Sequence, residues 1–180
     1  MNENEKIITA EKKPDYAQEI IEGSAIGKEF TKIYASEFYY DPSGHPVWPK
    51  LAVNFTAKTQ FVYRINKGVL NINNNTDLNN SRPDNEKRVF FSNMIYIGDG
   101  LTDVPSMKLT RLNGGYSIGV YQNSEDSRYL VDEDRVDFYV KADYSEGSEM
   151  DKVMKAILEK MSSENRLQSL TSNAVDNGKK

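Results

Sequence analysis

The sequence has no cysteine and a single histidine, His45. Without thiols there are no disulfides, iron–sulfur clusters or thiolate zinc sites. A lone histidine in a turn sequence makes a poor zinc site and no basis for a hydrolase triad, so His45 is assigned no role. Basic charge is short as well. Lys and Arg number 23 against 27 Asp and Glu, a net charge of −4, which leaves no excess to neutralise nucleic-acid phosphates. No apolar run approaches the roughly 20 residues that span a bilayer, and Met1-Asn2-Glu3-Asn4-Glu5-Lys6 lacks the layout of a signal peptide. A cytoplasmic protein that engages neither nucleic acid nor membrane is expected. The mean hydropathy of −0.68 is low; tyrosine-rich strands and polar ends account for it, and 180 residues are enough for one domain with a core.

What is present is most informative at Met94-Ile95-Tyr96-Ile97-Gly98-Asp99-Gly100-Leu101-Thr102-Asp103. A β-branched and aromatic run ends in a glycine-flanked aspartate, and a second carboxylate follows four residues later. A strand of this kind delivers its last side chains to the C-terminal edge of a sheet, where open α/β folds place ligands. The glycines permit a tight turn and close approach of a ligand to the backbone. Thr102 is placed to cap the following helix, with Pro105 in its first turn. Asp99 and Asp103 thus converge on one small volume, an arrangement suited to a hard cation such as Mg²⁺; their alternatives are a turn aspartate and an N-terminal aspartate favoured by the helix dipole.

Around this turn the pattern alternates. Residues 1–16 read as a loose leader and 17–161 as one core. Residues 17–30 suit a helix with Ile20, Ile21, Ile26 and Phe30 inward. Residues 32–40 read as a strand, and Asp41-Pro42-Ser43-Gly44 as a turn into a hairpin over 37–50. Residues 56–67 suit a helix with Thr56 as N-cap, Phe61, Val62 and Ile65 inward, and Gly68 as its stop. Residues 71–88 form an Asn-rich polar loop. A strand over 90–97, a helix over 104–112 and strands over 116–121 and 136–140 follow. Ser148 caps a last helix in which Met150, Val153, Met154, Ile157, Leu158 and Met161 form a core-facing stripe. Residues 162–180 are polar and read as a disordered tail. Strands alternating with helices imply a doubly wound sheet.

The Gly-Asp-Gly-x-x-Asp spacing resembles the fourth motif of the haloacid dehalogenase-like (HAD) hydrolases. Glu19-Ile20-Ile21-Glu22-Gly23, Lys32-Ile33-Tyr34-Ala35-Ser36, Val53-Asn54-Phe55-Thr56-Ala57-Lys58-Thr59-Gln60 and Gly114-Gly115-Tyr116-Ser117-Ile118 look like one bacterial branch of that superfamily, in its order over roughly residues 19–160. The resemblance implies an α/β, partial Rossmann-like core: a mostly parallel sheet flanked by helices, with the hairpin as an insertion. It implies Mg²⁺-dependent phosphoryl hydrolysis through an aspartyl-phosphate. Asp99 would face the metal. Asp103 would orient the metal's water shell or pair with the motif-three lysine. Lys58, with Lys67 as its rival, would stabilise charge on the transferring group.

The family's nucleophile motif, Asp-x-Asp-x-Thr/Val at the end of a first, central strand, has no counterpart before Gly98. Asp132-Glu133-Asp134, followed by Arg135 and Val136, comes after the fourth motif and reads as an exposed acidic turn rather than a permuted nucleophile. The second-motif Ser or Thr is also unmatched, since Lys12-Lys13-Pro14-Asp15-Tyr16 stands in its place, and Thr9 is the one substitute. Gly98-Asp99-Gly100 with Asn123 would also begin a thiamine-diphosphate motif, but the chain is too short for such enzymes. Missing its central strand, the sheet must pair residues 32–40 directly with the Gly-Asp-Gly strand or leave edges open. Expected partners are a small phosphorylated substrate, once complemented, and a chain supplying the missing half.

Overall fold

The computed structural model describes residues 16–123 and 128–177; the leader before Tyr16, Thr9 included, lies outside them. In chain order the elements are α1 (Tyr16–Gly23), β1 (Glu37–Tyr40), β2 (Pro46–Leu51), α2 (Phe55–Lys67), α3 (Asn75–Asn79), β3 (Ile95–Gly98), α4 (Val104–Leu112), β4 (Tyr116–Tyr121), α5 (Tyr129–Asp132), β5 (Phe138–Lys141) and α6 (Glu149–Asn177). Strands β3, β4 and β5 form a parallel sheet in that order, and β1 and β2 form a separate antiparallel hairpin. The chain is therefore α/β, with a three-stranded parallel sheet flanked by helices and a two-stranded hairpin beside it.

Alternation along the strands creates the two faces. Ile118, Val120 and Val140 point to one side and meet Met150, Ile157 and Met161 of α6, with Ile95 against the same cluster. Each such fully buried side chain contributes roughly 1.5–3 kcal/mol. On the other side Met107 of α4, Leu130 of α5 and Val136 cluster with Tyr96 and Tyr139. Gly119 faces this second layer, and a Cβ there would come within 3.1 Å of both Leu130 and Tyr139. Helix α2 lies against α4 through small polar residues, with Thr59 Oγ1 and Ser106 Oγ 3.2 Å apart.

Several elements depart from the sequence-based expectation. Asn54, not Thr56, caps α2: its Oδ1 accepts the Ala57 N–H at 3.0 Å and the Thr56 hydroxyl at 2.8 Å. Gly68 closes that helix at φ 72°, as expected. Ile65 is exposed, and the buried positions beside Phe61 and Val62 belong to Arg64 and Asn66. The strand expected over 32–40 shrinks to Glu37–Tyr40, because β2 is its only partner among the described residues. Residues 32–36 lie beside α2 instead, where the Tyr34 ring stacks on Phe61 with centroids 4.5 Å apart. Ile20, Ile26 and Phe30 are exposed rather than buried. The Asn-rich segment contains α3 and a 3-10 turn at Asp84–Glu86. Helix α6 runs on to Asn177, where the sequence suggested disorder from residue 162. Its start agrees with expectation, Ser148 Oγ accepting the Asp151 N–H at 3.1 Å.

In the parallel sheet β3 is an edge strand among the described residues, and β1 pairs with β2 rather than with β3. Among the described residues no helix is long and apolar enough to cross a membrane.

Candidate functional site at the C-terminal end of β3

Strand β3 ends at Gly98, and the chain turns through Asp99–Thr102 into α4. Asp103 is the residue preceding the first turn of α4, but its side chain makes no capping bond to that helix; Thr102 is not the cap either. The Asp103 carboxylate is turned back into the loop and is buried. Its Oδ1 accepts Lys58 Nζ at 2.7 Å and the Tyr96 hydroxyl at 2.8 Å. Its Oδ2 accepts the backbone N–H groups of Asp99 and Gly100, each at 3.3 Å. The turn therefore closes around one carboxylate.

Lys58 comes from the first turn of α2 and reaches across 45 residues of sequence, touching Thr102 Oγ1 at 3.2 Å as well. Its side chain is 27% exposed, against 8% for that of Asp103, so the ammonium sits at the mouth of the site. Lys67 is elsewhere: its ammonium donates to the carbonyls of Leu78 and Asn80 at 2.7 and 2.8 Å. Of the two lysines considered, Lys58 is the one beside the Gly-Asp-Gly turn.

Electrostatics follow from the geometry. Burial pushes the Asp103 pKa up, but the hydrogen bonds from Lys58 and Tyr96 and the Lys58 charge outweigh it and hold the carboxyl below its ordinary range. Burial, then the hydrogen bond and charge of Asp103, push the Tyr96 phenol well above its usual value. Burial, followed by the charges of Asp103 and Asp99, raises the Tyr129 phenol too. Asp99 itself meets Asp103 through its backbone N–H.

A pH dependence follows. Because the folded state depresses the Asp103 pKa, the unfolded chain binds the proton more readily in that range. The stabilisation is fully present above about pH 4 and is lost as pH falls through the lowered folded value. The melting temperature of Asp103→Asn is expected to lie below wild type at pH 7, and the gap to narrow as pH falls below about 4. A gap that stays constant between pH 7 and pH 3 would show that the carboxylate charge contributes nothing.

The fit to Mg²⁺ is incomplete. Among the described residues no group of three or more His, Asp or Glu side chains is placed to hold a metal ion. Both oxygens of Asp103 are already engaged by protein donors. Asp99 is exposed in the turn, and a Mg²⁺ held by so few protein carboxylates would complete its shell with waters or substrate oxygens.

Asp134, the last residue of the Asp132-Glu133-Asp134 segment, lies away from this site. It precedes β5, at the N-terminal end of the parallel sheet, and Asp134 (φ 52°) pairs with Arg111 in the last turn of α4 at 2.9 Å. Asp103 lies at the opposite end of the same helix. Sequence reasoning missed Tyr96 as a site residue. Its alternation with Ile95 and Ile97 was the available signal, since it places Tyr96 on the face that carries α4.

A protein of Borreliella burgdorferi, described as an uncharacterized protein, is 28% identical to this chain over 153 residues. The match covers 74% of this chain and 51% of the relative, so the chain spans about half the length of the curated relative it matches. No family model matches the chain, and no solved structure matches it.

Proposed function

We propose that residues 17–161 form the lysine-bearing C-terminal part of a HAD-like phosphohydrolase core and that the chain alone does not turn over phosphate esters. The observation that carries this reading is the Lys58–Asp103 ion pair, which fixes a cation at the C-terminal edge of β3 beside Asp99. Asp103 positions the Lys58 ammonium and, through the Asp99 and Gly100 N–H groups, fixes the turn. The ammonium then meets the oxygens of a phosphoryl group and stabilises the charge that develops on them. Among the described residues no Asp-x-Asp nucleophile motif precedes Gly98 to stand opposite it. Covalent phosphoryl transfer has no first step without one, and loss of a nucleophile typically costs several orders of magnitude in rate.

The test combines two readouts on the purified chain. With p-nitrophenyl phosphate and millimolar MgCl₂, hydrolysis is expected at the no-enzyme background, identical in wild type and Asp99→Asn. Amide exchange over Gly98–Asp103 is expected not to respond to MgCl₂. Metal-dependent turnover that disappears in Asp99→Asn would overturn the claim of inactivity. Failure of Lys58→Ala to weaken phosphate binding, once the missing half is supplied, would overturn the role given to Lys58.

A further inference from the structure

A line of hydroxyls leads inward from the Asp103 carboxylate. The Tyr96 hydroxyl and the Lys58 ammonium meet on one oxygen, Asp103 Oδ1, at 2.8 and 2.7 Å. An ionised carboxylate only accepts, so the phenol donates its single proton there and its own oxygen is left to accept. Ser106, on the first turn of α4 and fully buried, hydrogen-bonds that phenol. With the phenol's proton committed, Ser106 is the donor. The Ser106 oxygen in turn accepts from Thr59 Oγ1, 3.2 Å away on α2. Donation therefore runs one way, from Thr59 to Ser106 to Tyr96 to Asp103, and its direction is set by the one group in the line that cannot donate.

Thr59 directly follows Lys58 in α2, so the line closes into a ring that begins and ends on the same turn of that helix. Packing alone does not call for these hydroxyls. The Tyr96 ring lies against the Met107, Leu130 and Val136 cluster, where a phenylalanine would fill the same space. Thr59 and Ser106 lie where α2 meets α4, a contact that apolar side chains would fill with no polar group to satisfy. Hydroxyls donating in series polarise one another, so a donor two places back strengthens the bond that reaches the charge. We infer that Tyr96, Ser106 and Thr59 are positioning residues for Lys58, a directed hydroxyl relay that keeps Asp103 Oδ1 turned to the ammonium. The hydrogen-bond partners of the ammonium itself are Asp103 and Thr102, so the three act on it through Asp103. What a fixed ammonium does for phosphate binding rests on the reading proposed above, whereas the relay rests on the hydrogen bonds.

The experiment follows the Lys58 ammonium directly, by proton–nitrogen NMR of the full chain labelled at lysine Nζ, with the signal assigned by its loss in Lys58→Arg. Hydrogen exchange of the ammonium is measured at one fixed pH and low temperature. Tyr96→Phe is expected to speed that exchange about tenfold. Ser106→Ala and Thr59→Val, which remove hydroxyls remote from the ammonium, are each expected to speed it about threefold. Thr59→Ser, which keeps the hydroxyl, is expected to hold the wild-type rate. In the Tyr96→Phe background Thr59→Val is expected to add nothing, because the line is already cut. Should Ser106→Ala fail to fold, Thr59→Val carries the same test from the far end of the line. Acceleration in Tyr96→Phe alone overturns the inference, reducing the line to one contact. An unchanged rate in every variant overturns it too. So does an equal effect of Thr59→Val with and without the Tyr96 hydroxyl, which would mark loosened packing instead. Because the readout is the ammonium and not turnover, a Lys58 that meets no phosphate would sink the phosphohydrolase reading and leave the relay standing.

Discussion

Replacing Arg64 by Met is expected to destabilise the protein by about 3–5 kcal/mol, a larger loss than any surface substitution would bring. Arg64 is 1% exposed, and its guanidinium serves as the centre of the loop that follows α2. One terminal nitrogen donates to the carbonyls of Asn71 at 2.7 Å and Asn74 at 3.2 Å. The other donates to the Ile72 carbonyl at 2.9 Å and to Asn75 Oδ1 at 2.6 Å. A planar fork with several fixed donors is needed to collect so many acceptors. Methionine fills the volume but strands the carbonyls, each costing about 1–3 kcal/mol unless water reaches it. The loop is partly exposed, so some of that loss is recovered by opening to solvent. A fall in melting temperature of roughly 10 °C or more is expected. Lysine, with three donors on one nitrogen, should restore less than half. A change under 3 °C for Arg64→Met would show that the Asn-rich loop is held by something else.

Arg64 also marks where the sequence stopped being legible. Helix α2 was expected to bury Phe61, Val62 and Ile65, a sound reading of apolar spacing. Yet the helix turns Arg64 inward and leaves Ile65 exposed, because the loop beyond Gly68 folds back and supplies carbonyls. Nothing local in a polar, Asn-rich stretch announces that a distant arginine will order it. By contrast, α4 and β4 were legible to the residue, since Pro105, the Gly114-Gly115 stop and the β-branched and aromatic residues Tyr116, Ile118, Val120 and Tyr121 leave few alternatives. The stripe at the start of α6 was legible in the main: Met150, Ile157 and Met161 are buried, whereas Leu158, expected in the same stripe, is 51% exposed. Beyond Met161 the helix makes few core contacts, and Leu167 and Leu170 are exposed, so no burial pattern was there to be read. Of the site, the closeness of Asp103 to the Gly-Asp-Gly turn followed from spacing alone. The Lys58–Asp103 contact did not, being a tertiary pairing that only family resemblance suggested. Lys58 stands at the helix start because Asn54 begins α2 four residues earlier, a cap assigned by sequence to Thr56.

Gly98→Ala is the second substitution expected to have a large effect, and it tests the clamp directly. A Cβ at position 98 would sit 2.6 Å from Asp103 Cγ, 2.7 Å from its Cβ and 2.8 Å from its Oδ2. A flexible side chain would swing aside at small cost, but Asp103 is held by Lys58, Tyr96 and two backbone N–H groups. Its backbone is fixed as well, its N–H donating to the Gly100 carbonyl and its carbonyl accepting the Met107 N–H, both at 2.9 Å. Either the carboxylate leaves its donors or the strand end shifts, at an expected cost of about 3 kcal/mol or more. The coupling distinguishes this from a general dislike of side chains in the turn. Asp103→Gly removes both the clamp and the atoms that the new Cβ would strike, so adding Gly98→Ala to it should cost under about 1 kcal/mol. The double variant would then be less destabilised than the sum of the two single ones, by roughly 2 kcal/mol in chemical denaturation. Strict additivity would place the conflict elsewhere, and with it the claim that one carboxylate organises the strand end, the turn and the lysine.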